Sequence, residues 1–176
     1  MPFHKQDRLF LKKNPMKHFQ FNQDVSSCFQ DMIYRSIPSY QQLQHVIVET
    51  IKHYAKPNRS YVDYGCSTGN SLLKLRYALN ESNSHFIGID TSEAMLHIAK
   101  KRLDAQKTPG NTHLYCQSIL KPVLLKKPLQ GALCVLTLHF LKPEERLVVL
   151  EAIQEQLEEN GVFILVEKIN KNPKIR

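Results

Sequence analysis

Two stretches of this chain, Ala132–Thr137 and Val162–Val166, are almost entirely apolar and are bounded by turn residues. Runs of that length and character are strands buried on both faces. Between them Pro143 opens a helix, where a missing N–H costs little. Leu147, Leu150, Ile153 and Leu157 are then expected to form its buried stripe, and Asn160-Gly161 closes the segment. A strand covered on both faces needs helices above and below it. This one unit therefore dictates a parallel α/β architecture.

The same alternation extends upstream. Tyr40–Ala55 is an amphipathic helix carried by Leu43, Val46, Ile47, Thr50, Ile51 and Tyr54, with Pro38 before it and Pro57-Asn58 after it. Ser60–Tyr64 is a strand, Gly65–Gly69 a sharp turn and Asn70–Leu79 a helix. His85–Ile89 is the second strand, ending at Asp90. Ser92 caps a helix to about Ala105, with Met95, Ile98, Ala99 and Leu103 facing inward. Thr112–Cys116 is a strand and Lys121–Pro128 a loop. The expectation is a doubly wound, mostly parallel sheet of about five strands, with a ligand crevice at the carboxyl ends of its central strands. Phe19, Phe21, Val25, Phe29, Met32 and Ile33 suggest a short helix or lid near that crevice.

Length and charge narrow the class. A chain of 176 residues suits one domain. No apolar run approaches the roughly 20 residues of a membrane span, and the lysine-rich start has no apolar core of secretory-signal length. Cys28, Cys66, Cys116 and Cys134 show neither a CxxC pair nor histidines at metal spacing. They read as reduced thiols of a cytoplasmic protein, with no metal site. The net charge of +8 sits in two tails, since residues 1–17 and 168–176 each carry +4 while the middle is neutral. The expected organisation is a basic tail at 1–20, a domain at 21–168 and a basic tail at 169–176. Such tails are solvated ends or add non-specific affinity for a polyanion such as RNA.

The chemistry concentrates in Tyr61-Val62-Asp63-Tyr64-Gly65-Cys66-Ser67-Thr68-Gly69, where a strand ends in a glycine turn that opens a helix. Glycine admits the turn, and the helix N-terminus offers free N–H groups to a carboxylate or phosphate. Asp90, at the end of the next strand, suits a pair of ribose hydroxyls. Three ligand readings compete. A dinucleotide wants GxGxxG, which Ser67 and Asn70 interrupt. A hydrolase reading takes Gly65–Gly69 as GxSxG, with Ser67 as nucleophile and His113 or His139 as base, but leaves Asp90 without a part. S-adenosylmethionine, with adenosine and a carboxylate but no pyrophosphate, uses every feature.

At these residues, and at Gly88-Ile89-Asp90-Thr91-Ser92-Glu93-Ala94-Met95-Leu96, the chain resembles the class I S-adenosylmethionine-dependent methyltransferases. Phe21-Asn22-Gln23-Asp24-Val25 and Phe29 through Tyr40, with Leu138-His139-Phe140-Leu141-Lys142-Pro143-Glu144-Glu145-Arg146, are similar to carboxy-S-adenosylmethionine synthases. The resemblance implies that Tyr40 closes over the cofactor and that Gly65, Cys66 and Ser67 line its methionine part. It also implies that Asp90 and Thr91 hold the ribose and flank the adenine, where Ser118 and Ile119 replace an Asp-Ile pair. It implies prephenate as carboxyl source, with the product passed to a partner that modifies a wobble uridine of transfer RNA. Catalytic residues stay unassigned. Val135 stands in place of an asparagine. Family members continue beyond the fifth strand into a final antiparallel strand pair, and an arginine there grips the new carboxylate. The chain stops before it, with Arg35 as the nearby candidate. A homodimer or an intrachain segment is expected to cover the fifth strand. His139 is a candidate substrate contact, and the alternative to an enzyme is a cofactor-binding relative without activity.

Overall fold

A computed structural model describes residues 22–106, 108, 111–123 and 125–169. The basic tail at 1–20, with Phe19, lies outside the described residues, as do Phe21 and all of the second tail but Ile169. The elements run α1 (Gln23–Ser36), α2 (Tyr40–Tyr54), β1 (Ser60–Tyr64), α3 (Asn70–Ala78), β2 (His85–Asp90), α4 (Glu93–Ala105), β3 (Asn111–Cys116), β4 (Leu129–Val135), α5 (Pro143–Gln156) and β5 (Leu157–Val166).

The sheet has the order β3-β2-β1-β4-β5, and all its pairings are parallel. Two apolar layers explain why the strands read as continuous runs. On one face Ile47, Ile51, Leu72, Leu75 and Leu103 of α2, α3 and α4 pack on Tyr61, Phe86 and Leu133. On the other, Val149 and Ile153 of α5 pack on Val62, Ile87, Ala132 and Cys134. The sheet is thus doubly wound. Its winding reverses between β1 and β4, which opens a crevice at their carboxyl ends. Among the described residues no helix is long and apolar enough to cross a membrane.

α1 forms where Asn22 accepts a hydrogen bond from the Val25 N–H at 3.1 Å, and it stops at Ile37, held extended before Pro38. Its buried Val25 and Phe29 pack on Met95 of α4, so the helix lies over the crevice. Ser92 caps α4 through its hydroxyl and the Met95 N–H.

The largest boundary differences from the pattern in the sequence lie at β4, the end of α5 and the start of β5. β4 runs Leu129–Val135 rather than 132–137, because Leu136 turns into the left-handed region at φ 57°. Of the expected α5 stripe Ile153 is buried but Leu147 is 62% exposed, and the helix ends at Gln156, so Leu157 pairs with Leu129 instead. The strand then bulges before Val162 pairs with Gly131. Long-range contacts hold that bulge: Arg59 Nε meets Glu158 Oε1 at 2.6 Å, and Gln130 Nε2 donates to the Asn160 carbonyl at 2.8 Å.

Candidate functional site

The turn after β1 is built from positive φ. Gly65 has φ 81°, Ser67 51° and Gly69 76°. Gly65 cannot carry a side chain for a second reason, since a Cβ there would overlap the Thr137 side chain. The N–H groups of Gly65 and Cys66 both donate to the Ile89 carbonyl, at 2.8 and 2.9 Å, which ties the turn to the end of β2. Asp90 finishes the tie. Its Oδ2 accepts from the Ser67 N–H at 2.9 Å and its Oδ1 from the Ser92 N–H at 2.8 Å. Burial raises its pKa above the usual carboxylate value, against the lowering by these backbone donors. Each oxygen keeps lone-pair capacity for a further donor.

A cleft of about 370 Å³ opens over the turn. Every residue singled out for the cofactor lines it: Tyr40, Gly65, Cys66, Ser67, Asp90, Thr91, Ser118 and Ile119. Ser67 Oγ is buried there without a protein partner. The Ser118 hydroxyl accepts from the Leu120 N–H at 3.2 Å. Burial holds the Cys66 thiol well above its ordinary value, so it is no ready thiolate.

Sequence reasoning gave no role to Asp63, which lines the cleft at the end of β1. Burial, and then the neighbouring Asp90 charge, push its carboxyl up to about 7. A charged residue inside an otherwise core-facing strand was the available signal. It also missed the support of Tyr40. The Tyr40 hydroxyl oxygen accepts from Gln44 Nε2 and Asn70 Nδ2, both at 3.2 Å. Arg102 Nη1 donates to Asn70 Oδ1 and to the Thr68 carbonyl, both at 2.7 Å. The Tyr40 ring meets Tyr34 edge-on at 5.3 Å, and burial raises its hydroxyl to about 12.

Two other candidates lie elsewhere. Arg35 is 61% exposed and pairs with Asp31 at 3.4 Å along its own helix, away from the cleft lining. His139 is bonded to Glu167 rather than lining the cleft. As a nucleophile elbow the turn fails in position, since it follows the first strand among the described residues and its serine approaches Asp90 through the backbone.

A parallel 3-2-1-4-5 sheet, with a glycine turn after its first strand and an acid at the tip of its second, defines a methyltransferase-type α/β domain. A family model described as a methyltransferase domain matches residues 62–161. The carboxy-S-adenosyl-L-methionine synthase of Helicobacter hepaticus is 35% identical over 173 residues, covering 96% of this chain and 70% of that protein. Its namesake from Methylococcus capsulatus is 34% identical over 151 residues, covering 86% and 62%. An amino pentose methyltransferase from Micromonospora echinaspora, solved with S-adenosylmethionine bound, superposes with a TM-score of 0.64 at 21% identity, over 88% of this chain and 58% of that one. The chain belongs to the methyltransferase-domain family and, within it, to the carboxy-S-adenosyl-L-methionine synthase family. It spans 62% to 70% of the length of these curated relatives.

Proposed function

We propose that this chain binds S-adenosylmethionine in the cleft and serves, in the cytoplasm, as a transferase of the carboxy-S-adenosylmethionine synthase kind, with prephenate as carboxyl source. One observation carries the reading: Asp90, pinned by two backbone N–H groups, shares a cleft of about 370 Å³ with the glycine turn. The residues fit the cofactor. The unpartnered Ser67 Oγ and the raised Asp63 carboxyl are polar groups in want of a ligand, and Asp63 suits an ammonium. The Asp90 oxygens suit the ribose hydroxyls, Thr91, Ser118 and Ile119 the adenine, and Tyr40 with Gly65 and Cys66 the methionine part. When bound, the group supplies an activated methyl carbon on a sulfonium. Phe29, Ile33, Leu136 and Phe140 supply apolar lining to the cleft and would limit water around the bound group.

The functional unit is placed at residues 21–168. A homodimer through β5 belongs to the proposal, because among the described residues β5 pairs only with β4 and Leu165 is 45% exposed. Direct contact with transfer RNA is not required, since the product is a small molecule.

A second reading is favoured by the charges of the cleft. Among its described lining residues the charged side chains are Asp63 and Asp90, both acids, and a new carboxylate wants a cation or several fixed donors. On that reading the chain binds the cofactor without carboxylating it, or transfers the methyl group to an uncharged acceptor. Calorimetry with S-adenosylmethionine and S-adenosylhomocysteine tests cofactor binding. Incubation with prephenate, followed by mass spectrometry of the nucleosides, then separates the two. Carboxylated product supports the synthase reading, and binding without product supports the second.

A further inference from the structure

The loop from β4 to α5 forms one wall of the cleft through Leu136, Thr137, Phe140 and Leu141. It starts with Leu136 at φ 57° and tightens into a 3-10 turn over Leu138–Phe140. A leucine in the left-handed region persists only where its surroundings over-determine it. The end of β5 does so. The Leu136 N–H donates to the Val166 carbonyl at 2.7 Å. The next residue, Glu167, sends its carboxylate across. Its Oε1 accepts from the Thr137 N–H at 3.1 Å and the Leu138 N–H at 2.7 Å, and its Oε2 meets His139 Nδ1 at 2.7 Å. One side chain thereby gathers donors from three successive residues, each bond strengthened by the acceptor's charge.

Two contacts carry that grip into the cleft. The Thr137 side chain stands against Gly65, so closely that no Cβ fits between them. The His139 ring lies against Phe140, with centroids 4.2 Å apart. We propose that Glu167 is a positioning residue of the cleft. It holds Thr137 against the glycine turn and, by accepting a hydrogen bond from the Nδ1–H of His139, sets the ring that backs Phe140. Glu167 fixes this wall of the cleft without lining the cleft itself. Its functional meaning rests on the cofactor-binding reading above, while its geometry does not.

The test has one arm without ligand and one with it. In nitrogen NMR of the wild-type chain, His139 is expected to carry its proton on Nδ1, with the Thr137 and Leu138 amides slow to exchange. Glu167→Gln keeps an oxygen for the two amides but turns an N–H toward the ring, so the His139 proton should move to Nε2 while the amides stay protected. Glu167→Ala should speed exchange of both amides and weaken S-adenosylhomocysteine binding by about tenfold or more, against about threefold or less for Glu167→Gln. If the alanine variant does not fold, the tautomer shift in the glutamine variant carries the test alone. A wild-type His139 protonated on Nε2 would overturn the proposal, as would an alanine variant with unchanged exchange and affinity. Failure of the wild-type chain to bind S-adenosylhomocysteine, with tautomer and amides as expected, would instead sink the cofactor reading and the functional half of this assignment.

Discussion

Asp63→Asn should change ligand affinity and stability in opposite directions. The Asp63 carboxyl is raised from 3.8 to about 7 by burial and by the Asp90 charge. It is therefore about one tenth ionised at pH 6 and about nine tenths at pH 8. An ammonium placed beside it binds only the ionised form, so affinity for S-adenosylhomocysteine should rise about tenfold from pH 6 to pH 8. The native state holds this proton more tightly than the unfolded chain does. The contribution to stability is therefore fully present below pH 3.8 and is lost as pH rises through about 7. Asparagine removes the cost of the buried charge. At pH 8 the ligand-free variant should resist urea better than the parent, with an upper bound of about 4 kcal/mol. Its ligand affinity should be weaker at pH 8 and flat with pH. Isothermal titration at three pH values, paired with urea melts, reads both effects. A parent affinity that does not change between pH 6 and 8 would refute the pairing of Asp63 with the ligand's ammonium.

Asp90→Ala removes the proposed ribose acceptor and should weaken S-adenosylhomocysteine binding by about 1–3 kcal/mol, and an unchanged dissociation constant would place the ribose elsewhere. Tyr40→Phe leaves the amides of Gln44 and Asn70 without their buried acceptor, and urea melts should show a loss of about 1–3 kcal/mol. Gly65→Ala meets both an unfavourable φ and Thr137, so thermal unfolding should show a loss of at least about 1–2 kcal/mol, partly recovered by Thr137→Gly in the same chain. Light scattering should find a dimer, and a stable monomer with β5 uncovered would count against the proposed homodimer.

The central strands were legible because they are buried on both faces, and burial writes itself into sequence as uninterrupted apolar runs such as Ala132–Val135, whereas the equally apolar Val162–Val166 lies at the sheet edge with Leu165 45% exposed. Local chemistry was legible too, as in the Ser92 cap and the Gly65–Gly69 turn, because each depends on residues within a few positions. Misreadings came where distant residues decide. Leu136 leaves β4 early because the Val166 carbonyl holds its N–H, and Leu157 leaves the helix because Arg59 and Gln130 anchor the bulge behind it. Hydrophobic periodicity carries none of this. The role of Glu167 was invisible for the same reason, as its partners lie nearly thirty positions back. Asp63 was in plain sight within the glycine motif, but nothing in the run of letters fixes how deeply it is buried or that its carboxyl opens on the cleft.

The bonds around Tyr40 give its hydroxyl a direction. Arg102 takes the Asn70 oxygen, so the amide can offer Tyr40 only its nitrogen. Gln44 offers another N–H, and the two lone pairs of the phenolic oxygen are thereby spent. The one capacity left is the hydroxyl's own proton. Buried in the cleft wall, Tyr40 can therefore donate to a carboxylate or ether oxygen but has no lone pair left for an ammonium. A ligand with an amino acid at one end would be sorted by its ends, the acid toward Tyr40 and the amine toward Asp63, before any reaction could begin.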